Sequence, residues 1–234
     1  MHYLFIFPHP DDESFGPASS ISYLKRHGNK VSLLTLTKGG ATKVRHKLNL
    51  SIEEMGEIRY KEMLCVEKVL NLDNLTVLDL PDSGLKEIDP RIIEQSVENY
   101  IRKVSPDIII TYPVHGISGF HDHLITHSVV KRVYVELKSE LHLKRLAFFT
   151  LSKNQAQSND GIHRLNYSND EEIDCILNVE EQDVSKMNEA LDCYITYAEV
   201  IENSIRKSPP FYKAHFELFD EEYQTPLSNL NLDL

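Results

Sequence analysis

The chain has 234 residues, 41% hydrophobic and 26% charged, enough for one sizeable α/β unit. Its formal net charge of −11 excludes a broad phosphate-binding surface, so nucleic acid is not an expected partner. No apolar run nears membrane-spanning length and no basic, apolar leader opens the chain, which points to a cytoplasmic protein. Cys65, Cys175 and Cys193 are scattered without C-x-x-C spacing, and reduced, mostly buried thiols are expected rather than a disulfide frame or a thiolate zinc site.

Short, consecutive apolar runs alternate with helical periodicity. "YLFIF" (3–7) reads as a strand buried on both faces, as do "KVSLLTLT" (30–37), "LTVLDL" (75–80) and "DIIITYP" (107–113). A helix over about 17–27 has an early proline and Gly28 as its stop signal. The next covers 52–70, with Ser51 as N-cap and Glu54 completing a capping box. A third spans 90–104 behind Asp89, and a fourth runs from His121 to about Leu137. Further strands are expected at 145–152 and 172–179, and one long amphipathic helix over 183–202. Residues 1–220 are expected to form a single domain, with 221–234 a polar, acidic, partly disordered tail.

This order predicts a Rossmann-like, doubly wound, mostly parallel α/β sheet flanked by helices. Ligands gather in such sheets beyond the strand carboxyl ends, where the strand order reverses. With order 3-2-1-4, "HPDDE" after strand one faces "HGISGFHDHLITH" (115–127) after strand four. Imidazoles and carboxylates without thiolates suit zinc or a similar divalent ion. Such an ion lowers the pKa of bound water from ~16 to around 7, and a carboxylate that is not a ligand can take the proton. Adjacent aspartates at a strand-to-helix turn suit that division, because their side chains leave in different directions. Gly39 and Gly40 make no G-x-G-x-x-G fingerprint, so a dinucleotide cofactor is not expected.

"HPDDESFG", "PDSGL" and "GISGFHDH", with "EEMGEIRYKEMLCVEKVLNL" between the first two, resemble the PIG-L/LmbE-like family of zinc-dependent N-deacetylases over about residues 1–135. "ALDCYITYAE" and "FELF" extend the likeness weakly. The resemblance implies His9, Asp12 and His123 as metal ligands and Asp11 as general base. It implies Asp122 as a carboxylate supporting the histidine side, Glu13 as a turn-orienting group, and Asp82 and Arg59 as substrate contacts. It further implies removal of an acetyl group from an N-acetylglucosamine-type conjugate, releasing acetate and a free amine, and closed homo-oligomers.

Two positions depart from the family pattern. Phe120 stands where the family has a histidine that stabilises the oxyanion or protonates the leaving amine. His121, one place later, is the candidate for that role; His115 is next, and Asp11 can itself return the proton. Gly40 stands where the family commonly has glutamate. His127 is read as supporting or structural. His2, His27, His46, His142, His163 and His215 have no convergent partners, and "KVRHK" (43–47) reads as a solvated loop. The alternative function is a metal- or sugar-binding module of the same fold that has lost catalysis.

Overall fold

The computed structural model describes residues 1–158 and 164–234; His163 lies outside them. Seven strands, β1 (His2–Phe7), β2 (Lys30–Thr37), β3 (Asn74–Leu80), β4 (Ile108–Thr111), β5 (Arg145–Thr150), β6 (Cys175–Asn178) and β7 (Lys213–Leu218), form a sheet of order β3-β2-β1-β4-β5-β7-β6. The first five strands pair in parallel, with the expected 3-2-1-4 order on one side. The strand expected at 172–179 forms as β6, but the sequence reading missed β7, which inserts antiparallel between β5 and β6. Eight α-helices accompany them among the described residues: α1 (Pro17–Arg26), α2 (Val44–Lys47), α3 (Ile52–Leu70), α4 (Pro90–Val104), α5 (His121–Leu141), α6 (Lys153–Gln157), α7 (Glu181–Asp192) and α8 (Ala198–Glu202).

β1 shows why this sheet is covered on both faces. Tyr3, Phe5 and Phe7 join a core with α1, α3 and α7, while Leu4 and Ile6 join a second core with α4 and α5. Burying each such side chain stabilises by about 1.5–3 kcal/mol, which holds β1 at the centre. Local signals set the helix ends. Ser51 Oγ accepts the Glu54 N–H at 3.1 Å and Glu54 Oε2 accepts the Ser51 N–H at 2.8 Å, the expected capping box.

The helix expected over 183–202 is broken. α7 stops at Asp192, a 3-10 turn covers Ile195–Tyr197, and α8 follows. The break carries Tyr194 into the interior, where it is 1% exposed. The thiol expectation is corrected at the same place: Cys65 on α3 and Cys193 form a disulfide, Cα atoms 5.7 Å apart, and only Cys175 stays free and buried. A separation of 128 residues offers no spacing cue, and packing of α7 on α3 creates the pair. Residues 221–234, the stretch expected to be a polar, partly disordered tail, pack against the sheet, where Leu227 bridges Cys175 on the edge strand β6. Buried Arg145 pairs with Glu221 at 2.5 Å and donates to the Leu230 carbonyl at 2.5 Å, and Leu230 is fully buried. No helix among the described residues is long and apolar enough to cross a membrane.

His215 on β7 supplies a test of this packing. It is 7% exposed and its Nδ1 has no hydrogen-bond partner among the described residues. Burial first, then the Lys213 charge, push its pKa down to about 4, against weak opposition from Asp170. The unfolded ring titrates near 6.5, so the unfolded chain binds the extra proton between these values. This contribution is therefore complete above pH 6.5 and lost as pH falls toward 4, by about 3 kcal/mol. In His215→Gln, denaturation midpoints between pH 7 and 4.5 should fall less steeply than in the parent chain; parallel slopes would count against it.

Candidate metal and catalytic site

The turn after β1 is fixed by its neighbours. The Pro8 carbonyl accepts both the backbone N–H and the hydroxyl of Thr37, at 3.0 and 2.9 Å. Ser14 and Phe15 donate to the Asp11 carbonyl, and Asp12 Oδ2 accepts the His9 N–H at 2.9 Å. Asp11 adopts a left-handed φ of 86°, a conformation costly for a side-chain-bearing residue unless its surroundings hold it. The turn sends neighbouring carboxylates apart. Asp11 Oδ2 meets Arg59 at 2.7 Å, whereas Asp12 faces His9, His123 and Tyr112.

His9, Asp12 and His123 converge with one ligand atom each within 4.8 Å of one another, and could hold a metal ion. His123 lies at the start of α5, and its Nδ1 donates to the Gly116 carbonyl at 2.9 Å. That bond sets the tautomer and turns the Nε2 lone pair toward Asp12, 3.4 Å away, as a metal-binding imidazole requires. Tyr112 completes the support: its ring stacks on His123 at 4.4 Å and its hydroxyl donates to Asp12 Oδ1 at 2.8 Å. The close approach depends on Gly116 (φ 60°), because an added Cβ would lie 2.8 Å from His123 Cβ.

His9 also joins a second group of possible ligands with Asp82 and Asp122. Its Nε2 is 3.2 Å from Asp82 Oδ1 and 3.1 Å from Asp122 Oδ2. Asp122 is in turn held by the Ser83 and Leu85 N–H groups, and Asp82 by the Ala41 N–H. Asp122 thus steadies His9. Burial disfavours charge on His9, but Asp12, Asp122 and Asp82 outweigh it and hold the ring's pKa well above the usual value. Burial likewise works against ionised Asp12, and His123 and His9 reverse this, lowering its pKa to about 2. Such a carboxylate-rich, histidine-bearing pocket favours a cation.

Asp11 sits beside this cluster. Burial raises its pKa to about 6 despite the Arg59 charge, and its Oδ1 makes no hydrogen bond among the described residues. Arg59 is 1% exposed, donates to Asp11 and the Pro10 carbonyl, and lies 4.0 Å from the Tyr197 ring centroid. It stands behind Asp11 rather than on an open wall. Glu13 is fully buried, its pKa raised to about 7 by burial, and accepts from Ser14 (2.5 Å) and Tyr194 (2.6 Å).

The other described histidines do not join the cluster. His121 is exposed on the first turn of α5 and makes no hydrogen bond or ion pair to it among the described residues. His115 Nδ1 accepts the Ile117 N–H and its Nε2 faces Ser168 at 3.3 Å. His127 Nδ1 donates to the Tyr112 carbonyl and packs on Phe148, a supporting role. The Phe120 ring lies edge-on to His123 at 5.7 Å. Tyr112, Tyr194 and Tyr197 escaped the sequence reading. Tyr112 was readable from its place at the carboxyl end of strand four, but Tyr194 and Tyr197 fell inside an expected helix, where the weak likeness of "ALDCYITYAE" gave them no role.

A cleft of about 370 Å³ opens beside Asp82, between the N-terminal turns of α3 and the end of β3, with Lys38, Glu57 and Asp79 on its walls. Gly40 explains the missing carboxylate: an added Cβ would lie 2.2 Å from the Ile52 carbonyl oxygen. Gly40→Ala should therefore destabilise the fold by about 1–3 kcal/mol in denaturant titration, the cost of overpacking against backbone; an unchanged midpoint would refute the contact.

Over 230 residues, the chain is 26% identical to the probable N-acetyl-alpha-D-glucosaminyl L-malate deacetylase 2 of Bacillus subtilis (strain 168), covering 96% of each. Among solved structures it resembles the 4-carboxy-2-hydroxymuconate hydratase GalB of Pseudomonas putida KT2440, with TM-score 0.74, 11% identity and coverage of 97% and 99%. It also resembles a deacetylase of the teicoplanin biosynthetic pathway, with TM-score 0.72, 13% identity and coverage of 94% and 100%. At these identities the two structures share a fold with this chain, and a hydratase beside a deacetylase shows that the fold alone does not choose the chemistry. The PIG-L family model, described as GlcNAc-PI de-N-acetylase, matches residues 4–134, and the chain belongs to that family.

Proposed function

We propose that this chain is a zinc-dependent hydrolase that removes the acetyl group from an N-acetylglucosamine-type conjugate. The observation that carries this reading is the convergence of His9, Asp12 and His123 beside an Asp11 that is not in their group. The cluster offers carboxylate oxygens and imidazole nitrogens, donors that suit zinc once His9 gives up its proton to the binding event. When bound there, the ion supplies Lewis acidity to the acetamide carbonyl and to water. Asp11, held by Arg59, accepts the proton of the attacking water at its untied Oδ1. With Phe120 in the family histidine's place and His121 outside the cluster, Asp11 also returns that proton to the leaving nitrogen. Acetate and a free amine result. Asp82 links the cluster to the adjoining cleft and is the sugar contact of this proposal. The resemblance to the Bacillus subtilis relative supports the substrate class.

Acetate release from a panel of N-acetylated sugars, with zinc added, tests the reaction. Asp11→Asn should lose activity about 10²–10⁴-fold, the usual worth of a general base, while still binding zinc. His123→Ala should lose zinc itself, measured as metal per chain after dialysis. Among the described residues the cluster holds two imidazoles, which favours one other reading, a metal- or sugar-binding module without catalysis. Zinc-loaded protein that is silent on every substrate would select it.

A further inference from the structure

Residues 193–197 lie outside the family-matching segment, yet nearly every one of them grips the catalytic turn or the helix behind it. Tyr194 Oη accepts the backbone N–H of Asp11 at 2.8 Å and donates to Glu13 Oε1 at 2.6 Å. The backbone N–H and hydroxyl of Thr196 donate to the two carboxylate oxygens of Glu62, at 2.8 and 2.9 Å. Tyr197 covers the Arg59 guanidinium and meets Thr42 through its hydroxyl at 2.5 Å. Cys193 is bonded to Cys65 on α3. Ile195 alone points away, 80% exposed.

We propose that residues 193–197 are a clasp that positions Asp11, with Tyr194 the positioning residue and the disulfide between Cys65 and Cys193 its redox-sensitive fastener. Asp11 has a left-handed backbone, and such a conformation persists only where the surroundings over-determine it. The Asp11 carbonyl is held by Ser14 and Phe15 within the turn, whereas its N–H is held from outside by Tyr194. Tyr194 immediately follows Cys193, so the covalent link anchors the phenol one residue from its attachment. Cys65 is exposed, which leaves the bond open to a reductant. A phosphine reduces it with balance: water supplies oxygen to the phosphine oxide, two electrons cleave the S–S bond, and each sulfur takes one proton. The clasp then rests on hydrogen bonds alone.

The effect on catalysis rests on Asp11 being the base, so the test has an arm that does not need turnover. Amide hydrogen exchange of the peptide spanning 9–15 in the zinc-loaded chain should rise about tenfold in Tyr194→Phe and after phosphine reduction, with β1 unaffected. Cys65→Ser should reproduce the reduced chain without reductant, and Ile195→Ala should match the parent. On an N-acetylated sugar, kcat should fall about tenfold in Tyr194→Phe with KM within about twofold, as for a misplaced base rather than lost binding. Unchanged exchange over 9–15 in either Tyr194→Phe or the reduced chain overturns the proposal. Exchange that rises as expected in a chain releasing no acetate from any substrate supports the clasp and sinks the deacetylase reading instead.

Discussion

The structure depends on how three consecutive acids are accommodated at the end of a buried strand. Asp12 and Glu13 are almost wholly buried and Asp11 nearly so, and burying an uncompensated carboxylate costs several kcal/mol. Each acid meets a different answer. Asp11 has the Arg59 guanidinium, Asp12 has two imidazoles and a phenol, and Glu13, with no ion pair among the described residues, is pushed toward the neutral form and hydrogen bonded by Ser14 and Tyr194. The left-handed backbone at Asp11 separates the three directions.

Elements far apart in the chain contribute to those answers. β1 delivers the turn, α3 supplies Arg59, the loop after β3 supplies Asp82, and α5 supplies Asp122 and His123. The parallel order 3-2-1-4 brings these strand ends to one edge, and the two apolar cores hold them there. Packing and charge compensation are thus two parts of one arrangement. Losing register at β1 would misplace the turn relative to both α3 and α5.

Much of the fold was legible. Doubly buried strands read as continuous apolar runs, and the capping box at Ser51 and Glu54 marked the start of α3 to the residue. The helix expected over 183–202 failed because amphipathic periodicity carries no mark of a tertiary contact that pulls one tyrosine inward. The antiparallel β7 was hidden for a related reason: its neighbours, β5 and β6, are chosen by sheet-edge pairing across a distance in the chain.

The site divides the same way. Local sequence determined which donors exist and where they leave the chain: His9, Asp11 and Asp12 at a strand end, and Asp122 and His123 opening a helix, because turn chemistry and the periodicity of strands and helices are short-range properties. Tertiary structure decided which of them meet. It brought His123 to Asp12 and left His121 in solvent, because one residue along a helix rotates the side chain by about 100°. It placed Arg59 behind Asp11, closed Gly40 to any side chain, and joined Cys65 to Cys193, since each depends on how two segments far apart in the chain pack face to face.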